Sequence, residues 1–363
     1  MDDIARVSTA NLRTSDPACK SERRIFYLDI IRVLAIWLVI VNHTDGAWML
    51  SMHSQSINWW FSVVYFFFSK AAVPLFIMVS GALLLNRDCS YRKTAKRIGR
   101  VLTALVLFSA FYYLTSTKAP SFLGFVDGFW HANIKVALWY LYMYIGLLVM
   151  SPLLKKLTSV MTKNDYLYLF GICLGITCMV PMLSEFYKPL TYTSFFQLPV
   201  FNAYIGLFVG GHYFANVATP SKRMALASVV LIPVCLLALT QMTGYFYIAN
   251  GGVNYLRMDN ITFTPIIVMS GCIFVLIRWL SEKSQTLKDE SFALKLINLV
   301  ALCSFGMYLT HIGFLSMLNS WFTQLCGVMP DIAALLLYEI VIFVISFAAA
   351  WILRLVPPLR RIL

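Results

Sequence analysis

Residues 27–45 read Y-L-D-I-I-R-V-L-A-I-W-L-V-I-V-N-H-T-D. The stretch is apolar enough to be a membrane helix, yet it carries Asp29, Arg32 and His43. Arg32 and His43 are eleven positions apart. At about 100° per residue that is three turns plus roughly 20°, so both side chains leave one helix face, about 16 Å apart along the axis. Asp29, three residues before Arg32, is placed to pair with it. Ionisable residues in a membrane span are costly and usually face a bundle interior or a wet cavity. The spacing therefore predicts a site running along this face from Arg32 to His43. The competing reading is a hydrogen-bonded structural histidine and an arginine that snorkels to the helix end.

The rest of the chain agrees with that membrane assignment. Of 363 residues, 60% are hydrophobic and 12% charged, with a mean hydropathy of +0.75. Runs near 20 apolar residues predict ten membrane helices at about 28–50, 61–85, 99–117, 135–154, 166–183, 199–216, 224–244, 261–280, 298–320 and 332–356. The run at 199–216 carries the weakest signal. The fold class expected is all-α, a polytopic membrane helical bundle. Residues 1–24 read as a flexible, basic cytoplasmic tail, and 25–363 as one transmembrane domain with no room for a soluble one.

Lysine and arginine set the orientation. With the N-terminus inside, 23 of them fall in cytoplasmic segments and only Lys118, Lys135, Lys188 and Arg257 in outer loops. Such a bias is the positive-inside signal, and it predicts that both termini are cytoplasmic. It also accounts for the +13 net charge, which suits anionic headgroups or an anionic cytoplasmic ligand better than nucleic acid. The eight cysteines are scattered without C-x-x-C or metal-ligand spacing, so neither a disulfide framework nor a metal is expected.

Further polar residues fall inside the predicted spans. Lys70 precedes V-P-L-F-I-M-V-S-G, where Pro74 predicts a kink and Ser80-Gly81 a close helix approach. Lys70 and, in the ninth span, His311 are expected at a depth close to that of His43. Glu339 in the tenth could join them. Residues 86–100 are the most basic segment, and if helical they align Lys93, Arg97 and Arg100 in one stripe. With Arg32 at the same level, arginine's planar fork makes this a candidate phosphate dock, against the plainer reading of a solvated basic loop. The aromatics of W-Y-L-Y-M-Y at 139–144 read as an interfacial belt, with stacking on a sugar as the alternative. Asp127, His131, Lys135, Glu185, Lys188, Arg257 and Asp259 read as solvated outer-loop charges, and 281–297 as a short surface helix.

Taken in order, these motifs resemble the acyltransferase-3 family of membrane O-acyltransferases. The residues that carry the likeness are Leu28, Asp29, Arg32 and His43, then V-P-L-F-x-x-x-S-G at 73–81. R-x-x-R at Arg97 and Arg100 follows, then L-W-Y-L at 138–141 with S-P-L-L at 151–154, and S-x-G-x-Y-L-x-H at 304–311. The likeness covers essentially the whole chain and is nearest to single-domain members that O-acetylate cell-envelope glycans.

The resemblance implies transfer of an acyl group, usually acetyl from acetyl-CoA, to a hydroxyl of an envelope carbohydrate or glycolipid by a multi-pass protein of the inner (cytoplasmic) membrane. It implies that Arg32 and His43 are required and that Arg97 and Arg100 serve the acyl donor. Ala137 stands where relatives often have His, so any role of that His is missing here. The residues themselves suggest how such chemistry would run. A passage would lead from Arg32, Lys93, Arg97 and Arg100 up the bundle to His43 as general base. Lys70 or His311 would stabilise the oxyanion, and Asp29 would orient Arg32; a covalent acyl-enzyme route is the alternative to direct transfer, and the sequence does not choose between them. The rival class is a transporter or flippase of an envelope glycan or small solute, since ten helices with buried charges also describe carriers.

Overall fold

The structure, a computed structural model, describes residues 26–49, 56–87, 90–187, 202–249, 258–284 and 292–363. The tail at 1–24, Lys188 and Arg257 lie outside these. Every regular element among the described residues is a helix. They are α1 (Phe26–Met49), α2 (Ile57–Ser69), α3 (Ala72–Leu84), α4 (Tyr91–Ser116) and α5 (Phe122–Trp130). Next come α6 (Trp139–Val160), α7 (Lys163–Ile172), α8 (Val180–Ser184) and α9 (Ala203–His212). The last five are α10 (Lys222–Ala249), α11 (Thr264–Lys283), α12 (Phe292–Val328), α13 (Asp331–Leu355) and α14 (Pro357–Ile362).

Nine segments among the described residues are long and apolar enough to cross a membrane, with α2 and α3 counted as one and α7 running through a wide-wound stretch at Cys173–Met179 into α8. The tenth expected span is the exception. Residues 199–201 are not described, and α9 with its wide-wound end Tyr213–Val217 covers only 203–217, short of a full crossing. Its weak signal has a packing cause. Gly206, Gly210 and Gly211 lower its hydropathy, and nearly all its residues are buried within the bundle rather than facing lipid.

The second predicted span is two helices, and Pro74 explains why. Proline has no N–H to bond the carbonyl four residues earlier, and its ring crowds that carbonyl. The carbonyl concerned is that of Lys70, and the helix breaks at Lys70-Ala71, restarting at Ala72. Ser80-Gly81 does permit close approach. A Cβ on Gly81 would fall inside the carbonyl of Phe208, and one on Gly211 inside that of Met78, so the α3 and α9 backbones touch. In lipid, where apolar side chains gain little by leaving one oily medium for another, such close packing is what joins helices.

Basic residues of α4, α6 and α11 cap the ends of other helices. Lys155 Nζ donates to Leu85 O at 2.7 Å, beyond the end of α3. Arg278 donates through Nη1 to the carbonyls of Phe214 and Ala218 at the unwound end of α9, and pairs with Glu282 at 2.8 Å. Arg100 holds Ile362 O at 2.8 Å and Leu363 O at 2.6 Å at the end of α14. Cations at helix C-termini satisfy carbonyls that have no intrahelical donor. Residues 292–297, read as part of a short surface helix, are instead the first turns of the 37-residue α12.

Candidate active site

Helix α1 positions the first residues as its periodicity requires. Asp29 is buried in its first turn and accepts from Arg32 Nη1 at 2.8 Å, which aims the guanidinium inward. Val39 and His43 continue the face that Arg32 begins, at spacings of seven and four. Arg32 and Val39 line a cavity of about 490 Å³ enclosed by α1, α3, α4, α6, α12, α13 and α14. Arg97 and Arg100 of α4 line the same cavity, and α4 is helical from Tyr91 as the stripe requires. Lys93, on that helix, is exposed and is not among the lining residues.

Two further arginines were not singled out from the sequence: Arg354 in the last turn of α13 and Arg360 in α14 also line the cavity. Their only signal in the sequence was their place among the basic residues that set orientation. Their placement comes from the -P-P- at 357–358, where the helix breaks at Val356 and α14 turns back against α4.

The aromatic segment at 139–144 is not a belt. Tyr140 is buried, its ring is stacked on that of Tyr144 at 5.7 Å and 9°, and both line the cavity. The alternation of these residues on a helix, not their composition, decides their place: positions 140 and 144 share one face, and that face meets the cavity. Ser80 of α3 lines it beside them.

Helix α12 supplies the wall opposite α1. Ser304 and Tyr308 line the cavity, and His311, at i+7 from Ser304, extends the same face. The Tyr308 ring lies 5.5 Å from that of Tyr140 and 5.8 Å from that of His311. Its hydroxyl donates to the carbonyl of Ala137. His311 is fully buried, and its ring lies 5.3 Å from that of His43. The arginine cavity therefore ends at Val39 and Tyr308, and the histidine pair forms the next layer beyond it. His43 and His311 are not among the residues that line the cavity, so the expected single passage is interrupted at Tyr308. His43 faces the bundle interior against His311 and does not face lipid.

His311 has a defined tautomer. Its Nδ1 lies 2.6 Å from Tyr308 O, which only accepts, so Nδ1 carries the proton. Nε2 of the neutral ring is then a lone-pair acceptor, and it has no hydrogen-bond partner among the described residues. This runs against neutral His311 as the oxyanion donor, the role for which it was the alternative to Lys70.

Lys70 sits at the α2–α3 break, only 8% exposed. Its Nζ lies over the Phe66 ring at 4.1 Å and 3.8 Å from Asp259 Oδ2, so the partner demanded by a buried lysine comes from the loop before α11. The charges of Lys70 and Lys135 both reach His43. Lys135 also approaches Ser316 Oγ at 3.5 Å, so it is more than a solvated loop charge. His131 and Asp127 pair with each other at 3.2 Å on the exposed α5.

Glu339 is committed elsewhere than to the histidines. It is fully buried and accepts from Thr44 Oγ1 at 2.7 Å and Tyr65 Oη at 2.8 Å, tying α13 to α1 and α2 just beyond His43. Asp45 is buried nearby, within electrostatic reach of Glu339.

Comparison with known proteins gives one positive result. The family model described as "Acyltransferase domain" (Acyl_transf_3) matches residues 25–355, a span that holds the arginine cavity, apart from its α14 wall, and the whole histidine layer. No curated protein and no solved structure matches the chain. With that match running through nearly the whole sequence, the chain belongs to the acyltransferase-3 family of membrane acyltransferases.

Proposed function

We propose that this membrane acyltransferase moves an acetyl group from cytoplasmic acetyl-CoA to a hydroxyl of a cell-envelope carbohydrate. The supporting observation is an arginine-lined cavity at the basic end with, one aromatic layer further, the paired rings of His43 and His311. Arginine forks suit the phosphates of the donor nucleotide. The thioester arm would pass Tyr140 and Tyr308 to reach the histidines. Arg32, Arg97 and Arg100 hold the donor, and Asp29 keeps Arg32 turned toward it.

His43 acts as general base on the acceptor hydroxyl as the oxygen attacks the thioester carbonyl. The new C–O bond forms, the C–S bond breaks, and the imidazolium returns its proton to the leaving thiolate. His311, fixed through Nδ1, offers a second lone pair beside His43. Lys70 contributes positive charge toward the developing oxyanion, in a layer where exclusion of water strengthens it.

The test is release of free thiol from acetyl-CoA by the detergent-purified protein, read with a thiol-reactive dye, together with mass analysis of envelope glycans from cells with and without the gene. Thiol release coupled to a gene-dependent mass increment of one acetyl group is the expected result. Transport of a glycan or solute with no thioester cleavage would overturn the reading in favour of a carrier.

A further inference from the structure

A second cavity, of about 310 Å³, lies among α7, α9, α10 and α11 and shares no lining residue with the arginine cavity. Small residues create it: Ala203, Gly206 and Gly210 of α9, Ala227 of α10 and Gly271 of α11 leave space where longer side chains would meet. The wide-wound stretch at Cys173–Met179 shapes one wall. With bonds from i to i+5, residues five apart share a face, and Cys173 and Cys178 both line the cavity.

Its surface offers little to a polar ligand. No charged residue is among the lining, and the Ser228 hydroxyl is already bonded to Met224 O in its own helix at 2.9 Å. Buried cysteines behave as small hydrophobes. An apolar cavity of this kind stays dry, and left empty it forfeits the dispersion contacts of its walls. Hydrocarbon is the matching occupant.

Two further observations say which hydrocarbon. The walls other than α9 belong to membrane-spanning segments, and the α10 edge is open, since Ala227 and Leu231 line the cavity and are exposed. A lipid chain can therefore enter from the side. The helices that rim the cavity also begin with cations. Arg223, Ala227 and Leu231 follow at steps of four on α10, and Lys163 precedes Phe170 by seven on α7, so each cation continues a lining face. Both cations are exposed, and Asp165, two residues beyond Lys163, is turned back to cap α7 at Thr162. The two helix starts lie at one end of the bundle. Tyr166 Oη of α7 meets His212 Nδ1 of α9 at 3.2 Å, and Arg278 of α11 reaches the carbonyls of Phe214 and Ala218 in the chain that leads into α10.

We propose that this cavity holds one acyl chain of an anionic phospholipid whose headgroup lies at Lys163 and Arg223. The chain fills the volume that the glycines of α9 leave, and so supports a helix too short to cross the membrane. The inference does not depend on the acyl donor or acceptor assigned above.

The experiment is native mass spectrometry of the full-length protein in a mild detergent, with dioleoylphosphatidylglycerol, dioleoylphosphatidylcholine and soluble glycerol 1-phosphate as separate probes. Wild type is expected to retain one phosphatidylglycerol, about tenfold or more tightly than phosphatidylcholine, and no glycerol phosphate, since cations at the membrane surface favour anionic headgroups. Ala227→Phe puts a ring in the open edge and should weaken both lipids by about tenfold or more, because the chain loses its place among the walls. K163Q/R223Q should lower phosphatidylglycerol to the level of phosphatidylcholine and leave phosphatidylcholine unchanged. The three positions are exposed, so the fold does not depend on them, and Val230→Phe, on an exposed part of α10 away from the cavity, should bind as wild type does. Lipid retention that is equal in wild type and Ala227→Phe overturns the inference. So does a wild type that retains no lipid, or a preference for phosphatidylglycerol that survives in K163Q/R223Q.

Discussion

The imidazole rings of His43 and His311 lie 5.3 Å apart, one on the first membrane helix and one near the middle of the longest. His311 is held through Nδ1 by the carbonyl of Tyr308 in its own helix, which fixes its tautomer. His43 has no such tie among the hydrogen bonds described, and the charges of Lys70 and Lys135 reach it. One ring is locked and the other responds to its surroundings, which is the division expected of an orienting partner and a base.

Replacing either ring is therefore expected to cost unequally. His43→Gln should lower the acyl-transfer rate by about 10²- to 10⁴-fold, the usual contribution of a positioned acid–base group. His311→Gln should cost less, since the base remains. Steady-state thiol release by purified, monodisperse variants checks this, and equal activity of His43→Gln and wild type would remove His43 from the chemistry.

The Asp29–Arg32 pair separates orientation from catalysis. Asp29→Asn keeps the shape but loses the charge-assisted bond at 2.8 Å. Its expected effect is a several-fold rise in KM for the acyl donor with kcat changed little, because Arg32 contributes binding and not proton transfer. A fall in kcat at constant KM would contradict that role.

Glu339 is expected to matter for stability more than for donor binding. Glu339→Gln leaves Thr44 and Tyr65 in place but replaces two bonds to a carboxylate with weaker ones, and it adds an amide that needs its own partners. A loss of about 1–3 kcal/mol is expected for a buried, charge-assisted contact of this kind. Thermal unfolding in detergent should show a lower midpoint, while the KM for the acyl donor stays within about twofold of wild type. Equal midpoints would mean that these bonds contribute nothing net.

The glycines divide into two groups by what surrounds them. Gly211→Ala and Gly81→Ala drive a methyl group into the backbone of a neighbouring helix, and a loss of more than about 2 kcal/mol is expected from forced separation of α3 and α9. Gly99 has open space at its Cβ position, on exposed α4. Gly99→Ala should be neutral or stabilising by up to about 1 kcal/mol, the helix-propensity difference. Comparing unfolding midpoints of the three variants checks the close-packed crossing, and a Gly211→Ala as stable as Gly99→Ala would contradict it.

How much of this was legible before the coordinates depended on whether the signal was local. The Asp29–Arg32–His43 face was legible because three positions on one helix obey one period. The Lys70 break followed from the chemistry of Pro74, although a kink was expected where the chain in fact divides into two helices. Tyr140 and Tyr144 were misplaced because aromatic composition says membrane interface while helical phase says interior, and phase won. Arg354 and Arg360 were invisible as site residues since only the turn at Pro357-Pro358 and the burial of Leu363 bring them to Arg100. The division of the passage at Tyr308 was equally out of reach, because a ring's orientation between two helices is set by packing and not by spacing.

The central claim is that the arginine cavity and the histidine layer serve a single acyl transfer. Its most direct measurement is the rate of thiol release from acetyl-CoA by the purified protein, compared among wild type, Arg97→Gln/Arg100→Gln and His43→Gln. The account predicts release by wild type, a raised KM for acetyl-CoA in the arginine variant, and loss of turnover with retained acetyl-CoA binding in His43→Gln. Acetyl-CoA binding and turnover that are the same in all three proteins would contradict it.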